Sequence, residues 1–94
     1  MSNFVREFVA RVEEACGEEG DFVVILRHGK VREAMVRVLS KCAVEKSVSG
    51  IMVKGAWMGK EVTLFATGRM LLKGFKDKTE VESFLEELLS PAET

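Results

Sequence analysis

The stretch from Glu61 to Phe75, EVTLFATGRMLLKGF, decides the fold, because its alternation of apolar and polar residues predicts two strands joined near Gly68. A two-residue loop at 67–68 would place Lys73 among the apolar residues of the inner face. A three-residue loop at 66–68 keeps this lysine outside, so the hydrophobic pattern favours it. The inner face, which should meet the helices, then consists of Val62, Leu64, Met70 and Leu72. The outer face then consists of Thr63, Phe65, Leu71 and Lys73.

Amphipathic helices are predicted on both sides of this hairpin. After it, Thr79 and Glu82 have the spacing of a capping box at the start of a last helix. Before it, the segment from Lys30 to Cys42 predicts another helix. The apolar stripe of the earlier helix is Val31, Ala34, Met35, Val38, Leu39 and Cys42. The apolar stripe of the last helix is Val81, Phe84, Leu85, Leu88 and Leu89.

The N-terminal quarter predicts a further helix and one internal strand. The helix should run from Asn3 to Gly17, with a Glu7–Arg11 pair at its surface. The continuous run from Phe22 to Leu26 is typical of a strand covered on both faces. The apolar stripe of the helix is Phe4, Val5, Phe8, Val9, Val12 and Cys16.

The middle of the chain has the weakest pattern. Val44 to Lys54 is predicted as one strand bent by a bulge at Gly50, or as two short strands. Residues 55–60 are predicted to be a connection, in which Trp57 is the largest side chain. The element order predicts an α+β protein, with an antiparallel sheet that carries its helices on one face.

Length and composition limit the class of protein. With 94 residues, 47% of them hydrophobic, the chain is predicted to form a single domain, 1–94. A formal net charge of -1 argues against a generic nucleic-acid binder, which needs an excess of cations. No apolar run is long enough for a membrane span or a signal peptide, so we expect a cytoplasmic protein without membrane contacts.

The scarcity of Gln and Asn points to a heat-adapted protein. The sequence has no Gln and a single Asn, while Glu and Lys are abundant, and this composition is typical of thermophilic sources. Cys16 and Cys42 each lie on the apolar stripe of a predicted helix and lack the spacing of a zinc site. Buried thiols and a disulfide between two helix ends both remain open. No cofactor or metal is expected.

The end of the hairpin and the last helix resemble one half-repeat of the TATA-binding protein family. The residues that carry this resemblance are Leu64-Phe65, Ala66-Thr67-Gly68-Arg69, Leu71-Leu72 and Gly74, followed by the amphipathic helix. The motif covers about the last third of the chain, and residues 21–94 share only the order of elements. The resemblance implies a half-saddle fold, here with an extra N-terminal helix.

Departures from the family pattern argue against TATA-box binding. The family inserts two Phe per half-repeat between base steps; Phe65 matches one, but the region of the other, 47–49, reads Ser-Val-Ser. Asp21 stands where the family places Asn, and a carboxylate is repelled by DNA phosphates. The family also forms its saddle from two half-repeats, so a saddle here would require a second copy of the chain.

Two groups of residues are candidate sites. Arg27, His28 and Lys30 lie where a strand meets a helix, which favours either an anion or a solvated basic turn. Residues 24–29 also resemble the opening motif of the histidine phosphatases, but that chemistry needs a second histidine, and His28 is the only histidine in the sequence. We therefore expect no enzymatic activity.

The outer sheet face is the stronger candidate. Thr63, Phe65, Leu71 and Lys73 would form a partly apolar surface on the side of the sheet that the helices leave open. Trp57 would join this surface or fold over a sheet edge. The sequence thus predicts a non-enzymatic interaction module that self-associates, as a homodimer, or binds a protein. Nucleic-acid binding through the same face is the alternative.

Overall fold

The computed structural model describes residues 3–14 and 20–90, with six strands and three helices. The helices are α1 (Asn3–Phe8), α2 (Val31–Lys41) and α3 (Lys78–Leu88), and a 3₁₀ turn, His28–Lys30, precedes α2. The strands are β1 (Val9–Glu14), β2 (Asp21–Leu26), β3 (Ala43–Val48), β4 (Met52–Trp57), β5 (Lys60–Phe65) and β6 (Arg69–Lys73).

All six strands form one antiparallel sheet, in the order β1-β2-β6-β5-β4-β3. Strands β3 to β6 make a meander, because each is joined to the next by a short turn. The connection through α2 carries the chain from β2 to the far edge of the sheet. One hydrophobic core contains buried residues of all three helices and of one sheet face. The α+β class and the antiparallel sheet are confirmed.

The hairpin of β5 and β6 has the three-residue loop that the hydrophobic pattern favours. Leu64 lies opposite Met70 and Val62 opposite Leu72. These four side chains are at most 1% exposed, so they form the centre of the core. Gly68 adopts φ +100° in the loop, a conformation that L side chains rarely adopt. The predicted inner face is confirmed.

The predicted N-terminal helix is wrong beyond Phe8, where the chain becomes β1 and pairs with β2. The register shifts between Val9 and Arg11, so that Ala10 is an extra residue in the strand. This bulge leaves Val9 and Val12, three positions apart, both buried on the helix side. Because an α-helix has the same spacing, the apolar pattern imitated a helix. Arg11 forms its ion pair with Glu13 (3.1 Å), not with Glu7 as predicted.

The middle segment consists of two strands, β3 and β4, joined by the turn at 49–51. Gly50 lies in this turn at φ +72°, so the alternative of a single strand bulged there is wrong. The predicted connection at 55–60 is also wrong, because Trp57 ends β4 and Lys60 begins β5. Only Met58 and Gly59 connect them, both with positive φ, in the conformation favoured by two-residue hairpins.

Helix α2 packs with a narrower stripe than its sequence predicted. Ala34, Val38 and Cys42 are buried, but Leu39 is 43% exposed, so its predicted place in the core is wrong. Leu39 lies outside the core cluster, against which Val31 and Met35 are packed. Cys42 carries a free, buried thiol. Cys16 lies outside the described residues, as does Pro91, so predictions about them stay predictions.

Helix α3 is capped at both ends by side chains. At its start, Asp77 accepts a hydrogen bond from the backbone N–H of Glu80 (2.9 Å), so the predicted Thr79 cap is wrong. At its end, Lys41 of α2 donates to the carbonyl oxygens of Leu88 (3.1 Å) and Ser90 (2.8 Å). Arg37 donates to the carbonyl oxygen of Leu89 (2.7 Å). Cations at a helix C-terminus stabilise it through these unpaired carbonyls.

Lys41→Met should lower the free energy of unfolding by about 1–2 kcal/mol, because the methionine keeps the apolar stem but donates no hydrogen bond to α3. Urea denaturation followed by circular dichroism measures this change. Lys76→Met is the matched control, because Lys76 is exposed and precedes the helix; it should change stability by less than about 0.5 kcal/mol. Equal effects of the two variants would show that Lys41 does not hold α2 and α3 together.

Candidate functional site

The face of the sheet opposite the helices carries a cluster of large apolar side chains. We call this surface the outer face. Its large apolar residues are Val23, Ile25, Met52, Phe65 and Leu71, which are half-buried, and Val48, which is exposed. The register brings Val23 opposite Leu71 and Phe65 opposite Met52 across neighbouring strands. No helix in the described part of the chain contributes to this face, because the helical core residues belong to the other side.

Thr63 lies at the centre of the outer face and is only 8% exposed. It stands between Lys54 and Leu71, its partners on the two neighbouring strands. Longer side chains on both sides therefore cover it. The structure brings the predicted residues Thr63, Phe65, Leu71 and Lys73 together on one surface, but Thr63 contributes little of the accessible area.

Charged residues surround the apolar cluster, and some of them form ion pairs. Lys54 Nζ lies 2.7 Å from Glu61 Oε1 across β4 and β5. The Glu61 carboxylate accepts a hydrogen bond from Lys54. This bond lowers the pKa of the Glu61 carboxyl and raises the pKa of Lys54. Lys73, directly opposite Glu61, also lowers the pKa of that carboxyl through its charge. The pair thus weakens as pH falls through the Glu61 pKa or rises through the Lys54 pKa.

Trp57 does not belong to the outer face. Its position in β4 has the parity of Val53 and Gly55, which face the helices. Its ring packs edge-on against Phe84 of α3, with 5.3 Å between ring centroids, and Lys41 lies over it. The structure therefore separates Trp57 from the residues with which the sequence grouped it, because β4 continues through position 57.

The three predicted anion-binding residues, at the start of α2, contact different parts of the protein. Arg27 donates to the backbone carbonyl of Arg6, and Lys30 lies 3.6 Å from the Glu33 carboxylate. Only His28 lines the shallow depression beside α2, where Val31, Arg32, Met35, Gly50 and Ala66 are also found. The arrangement does not converge on one point, and anion binding stays a prediction.

Val23, Ile25 and Met52 are members of the outer face that the sequence did not assign. The run from Phe22 to Leu26 predicted a strand covered on both faces, yet Val23 and Ile25 remain half-exposed on the open side. The same run is equally consistent with one covered face and one apolar binding face. The pairing of β2 with β6 distinguishes these two interpretations, because it places Val23 and Ile25 beside Leu71 and Arg69 on the outer face.

Comparisons of the chain with protein-family models, curated proteins and solved structures give no significant match. Among the described residues, no helix is long and apolar enough to cross a membrane. Within 3–14 and 20–90, no group of three or more His, Cys, Asp or Glu side chains is placed to hold a metal ion. The function must therefore be argued from the surface itself.

Cys42, the cysteine in the described part of the chain, belongs to the hydrophobic core. Burial raises the pKa of its thiol, and the neighbouring charge of Lys41 opposes this only in part. A thiol held in its protonated form is a poor nucleophile. The outer face, rather than a reactive group, is thus the feature of this part of the chain that calls for a functional explanation.

Proposed function

We propose that this protein is a non-enzymatic interaction module that binds a protein surface, of a partner or of a second copy, through its outer face. The supporting observation is the apolar cluster of Val23, Ile25, Met52, Phe65 and Leu71 on a side of the sheet where no helix of residues 3–14 and 20–90 packs. Contiguous apolar side chains on a small domain mark interaction surfaces, because their burial against a partner is favourable.

The arrangement of charge on the outer face supports a protein as the occupant. Apolar residues occupy the middle of the face, while Lys54, Glu61 and Lys73 lie beside them. Protein interfaces have this anatomy of an apolar centre and a polar rim. Carboxylates of both Glu61 and Asp21 on the face favour a partner of mixed charge over a polyanion.

Phe65→Asp tests the proposal, because it places a carboxylate in the apolar cluster. We expect weaker self-association in sedimentation velocity and higher solubility in ammonium sulfate. Met58→Asp is the matched control, because it adds the same charge in the β4–β5 turn, where Met58 is 65% exposed. It should leave self-association unchanged, and any gain in solubility that it shares with Phe65→Asp comes from the added charge alone. A wild-type monomer at all concentrations, together with unchanged solubility and stability on Phe65→Asp, would contradict the proposal.

Nucleic-acid binding through the same face is the second candidate, favoured by the excess of cations over carboxylates there. The cations on this side of the sheet are Arg11, Lys46, Lys54, Arg69 and Lys73. The carboxylates on this side are Glu13, Asp21 and Glu61, and Glu45 at the register shift of β3 also acts on Lys54 by its charge. A salt titration on single- and double-stranded oligonucleotides distinguishes the candidates, because phosphate contacts make affinity fall steeply with ionic strength. Absence of binding at low salt removes the second candidate.

A further inference from the structure

Strand β3 is the edge of the sheet farthest from β1, and all six of its residues are exposed. An edge strand presents unpaired backbone N–H and C=O groups that another strand can pair with. Val44 is 47% exposed on the helix side of the strand, opposite Gly55, which has no side chain to cover it. Strand β3 is therefore incompletely packed within its own chain.

Exposed apolar side chains concentrate at the same edge. In the described part of the chain, the large apolar residues that are exposed are Val36, Leu39, Val44, Val48, Ile51 and Met58. All except Met58 belong to α2, to β3 or to the turn after β3. Val36 is 63% and Leu39 is 43% exposed. Helix α2 leads directly into β3 at its C-terminal end, whereas its first residue, Val31, lies beside Gly68 in the β5–β6 loop, so the C-terminal part of α2 is the part nearest this edge.

Lys46 of β3 faces a like charge within its own chain. Lys46 lies opposite Lys54 on β4, and like charges in directly opposite positions are unfavourable. Lys54 is compensated by Glu61 and by the charge of Glu45, whereas Lys46 has no ion pair among the residues that the structure describes. Glu45, beside it in the sequence, is the extra residue of the register shift between Val44 and Lys46.

We propose that β3 is a homodimer interface, in which two copies pair their β3 strands antiparallel about a two-fold axis between Glu45 and Lys46. Each Glu45 then lies opposite Lys46 of the second copy, so the interface forms two reciprocal ion pairs. Val44 lies opposite Ser47 of the second copy. The same axis brings the two α2 helices toward each other on the helix side, where they cover Val36 and Leu39.

The other edge of the sheet does not offer the same surface. In β1, Val9 and Val12 are already buried, and the exposed positions are occupied by Ala10, Arg11, Glu13 and Glu14. Pairing at β1 would bury no large apolar side chain. Pairing at β3 leaves both outer faces uncovered and places them on the same side of one extended sheet. The dimer is therefore independent of what the outer face binds.

Charge-swap variants test the self-complementarity directly. Lys46→Glu leaves two glutamates facing two glutamates across the axis, and Glu45→Lys leaves lysines facing lysines. We expect each variant alone to dimerise roughly ten- to thirtyfold more weakly than the wild type in sedimentation velocity. An equimolar mixture of the two variants should dimerise again, because each charge then meets its opposite.

Two controls make the result specific to β3. Glutamate at position 46 faces Lys54 within its own chain, so Lys46→Glu should not destabilise the monomer, and thermal unfolding checks this. Amide hydrogen exchange of residues 43–48 should slow as protein concentration rises, while that of residues 9–14 stays constant.

A wild-type monomer up to submillimolar concentration would overturn the proposal. Dimers of both single variants as tight as the wild type, or a mixture no more associated than its components, would overturn it equally. Equally tight dimers of the variants would leave binding through the outer face untouched, because Phe65→Asp tests that face separately. A wild-type monomer would also remove self-association through the outer face and leave only a partner protein as its occupant.

Discussion

Leu72→Ala should lower the free energy of unfolding by about 3–5 kcal/mol, the range for truncating a fully buried leucine that leaves a cavity. Leu72 is 0% exposed, pairs with Phe22 and Val62 across β6, and faces the helices. Chemical denaturation measures the effect.

Leu71→Ala is the matched control, because it makes the same substitution one residue earlier on the same strand. Leu71 faces the open side and is half-buried, so we expect a loss of no more than about 1.5 kcal/mol. The contrast between the two leucines tests the parity of the hairpin. Equal losses, or a larger loss for Leu71, would show that the two faces have been exchanged.

Gly55→Ala should lower the free energy of unfolding by about 3 kcal/mol, the upper part of the range for an overpacked site. A Cβ atom at position 55 would lie 2.8 Å from the backbone carbonyl oxygen of Ala43 and 3.2 Å from the Cβ of Cys42. Since the first contact is with backbone, β3 must move away from β4. Denaturation midpoints and amide exchange of residues 43–48 measure this displacement.

Gly29→Ala is the control for Gly55→Ala. A Cβ at position 29 meets no atom within 4 Å, and its backbone has no positive φ. We expect a change between zero and about 1 kcal/mol of stabilisation, since alanine restricts the unfolded chain. If Gly55→Ala were as harmless as Gly29→Ala, the close approach of β3 to β4 would be wrong.

The hairpin could be predicted from sequence because only one register avoids burying a charged side chain. The opposite parity would bury Lys73 without a partner, at a cost of several kcal/mol, which exceeds the gain from burying one more apolar residue. The helix side of the core follows from the same argument, since Val62 and Leu64 must meet apolar helix faces.

The N-terminal strand and the α3 cap could not be predicted from local pattern. The bulge at Ala10 gives β1 the residue spacing of a helix, and only the pairing with β2 distinguishes the two. At α3, Asp77 and Thr79 are both good caps, and each has a glutamate three residues later. Nothing in the apolar stripe of α3 decides between these two starts.

The outer face was predicted in part, for a related reason. Thr63, Phe65, Leu71 and Lys73 follow from the hairpin alone, whereas Val23, Ile25 and Met52 require knowledge of which strands are neighbours. Trp57 was misplaced because methionine at position 58 gives no signal for the positive φ that it adopts in the turn.

Solvent accessibility of individual methyl groups shows whether the outer face is open for binding. In dilute protein with a soluble gadolinium chelate, the methyl resonances of Ile25 and Leu71 should show strong paramagnetic relaxation. Those of Leu64 and Leu72, which are 0% exposed, should stay near the baseline. Protection of Ile25 and Leu71 equal to that of Leu72 would contradict the account, because the face would then be covered within a single chain.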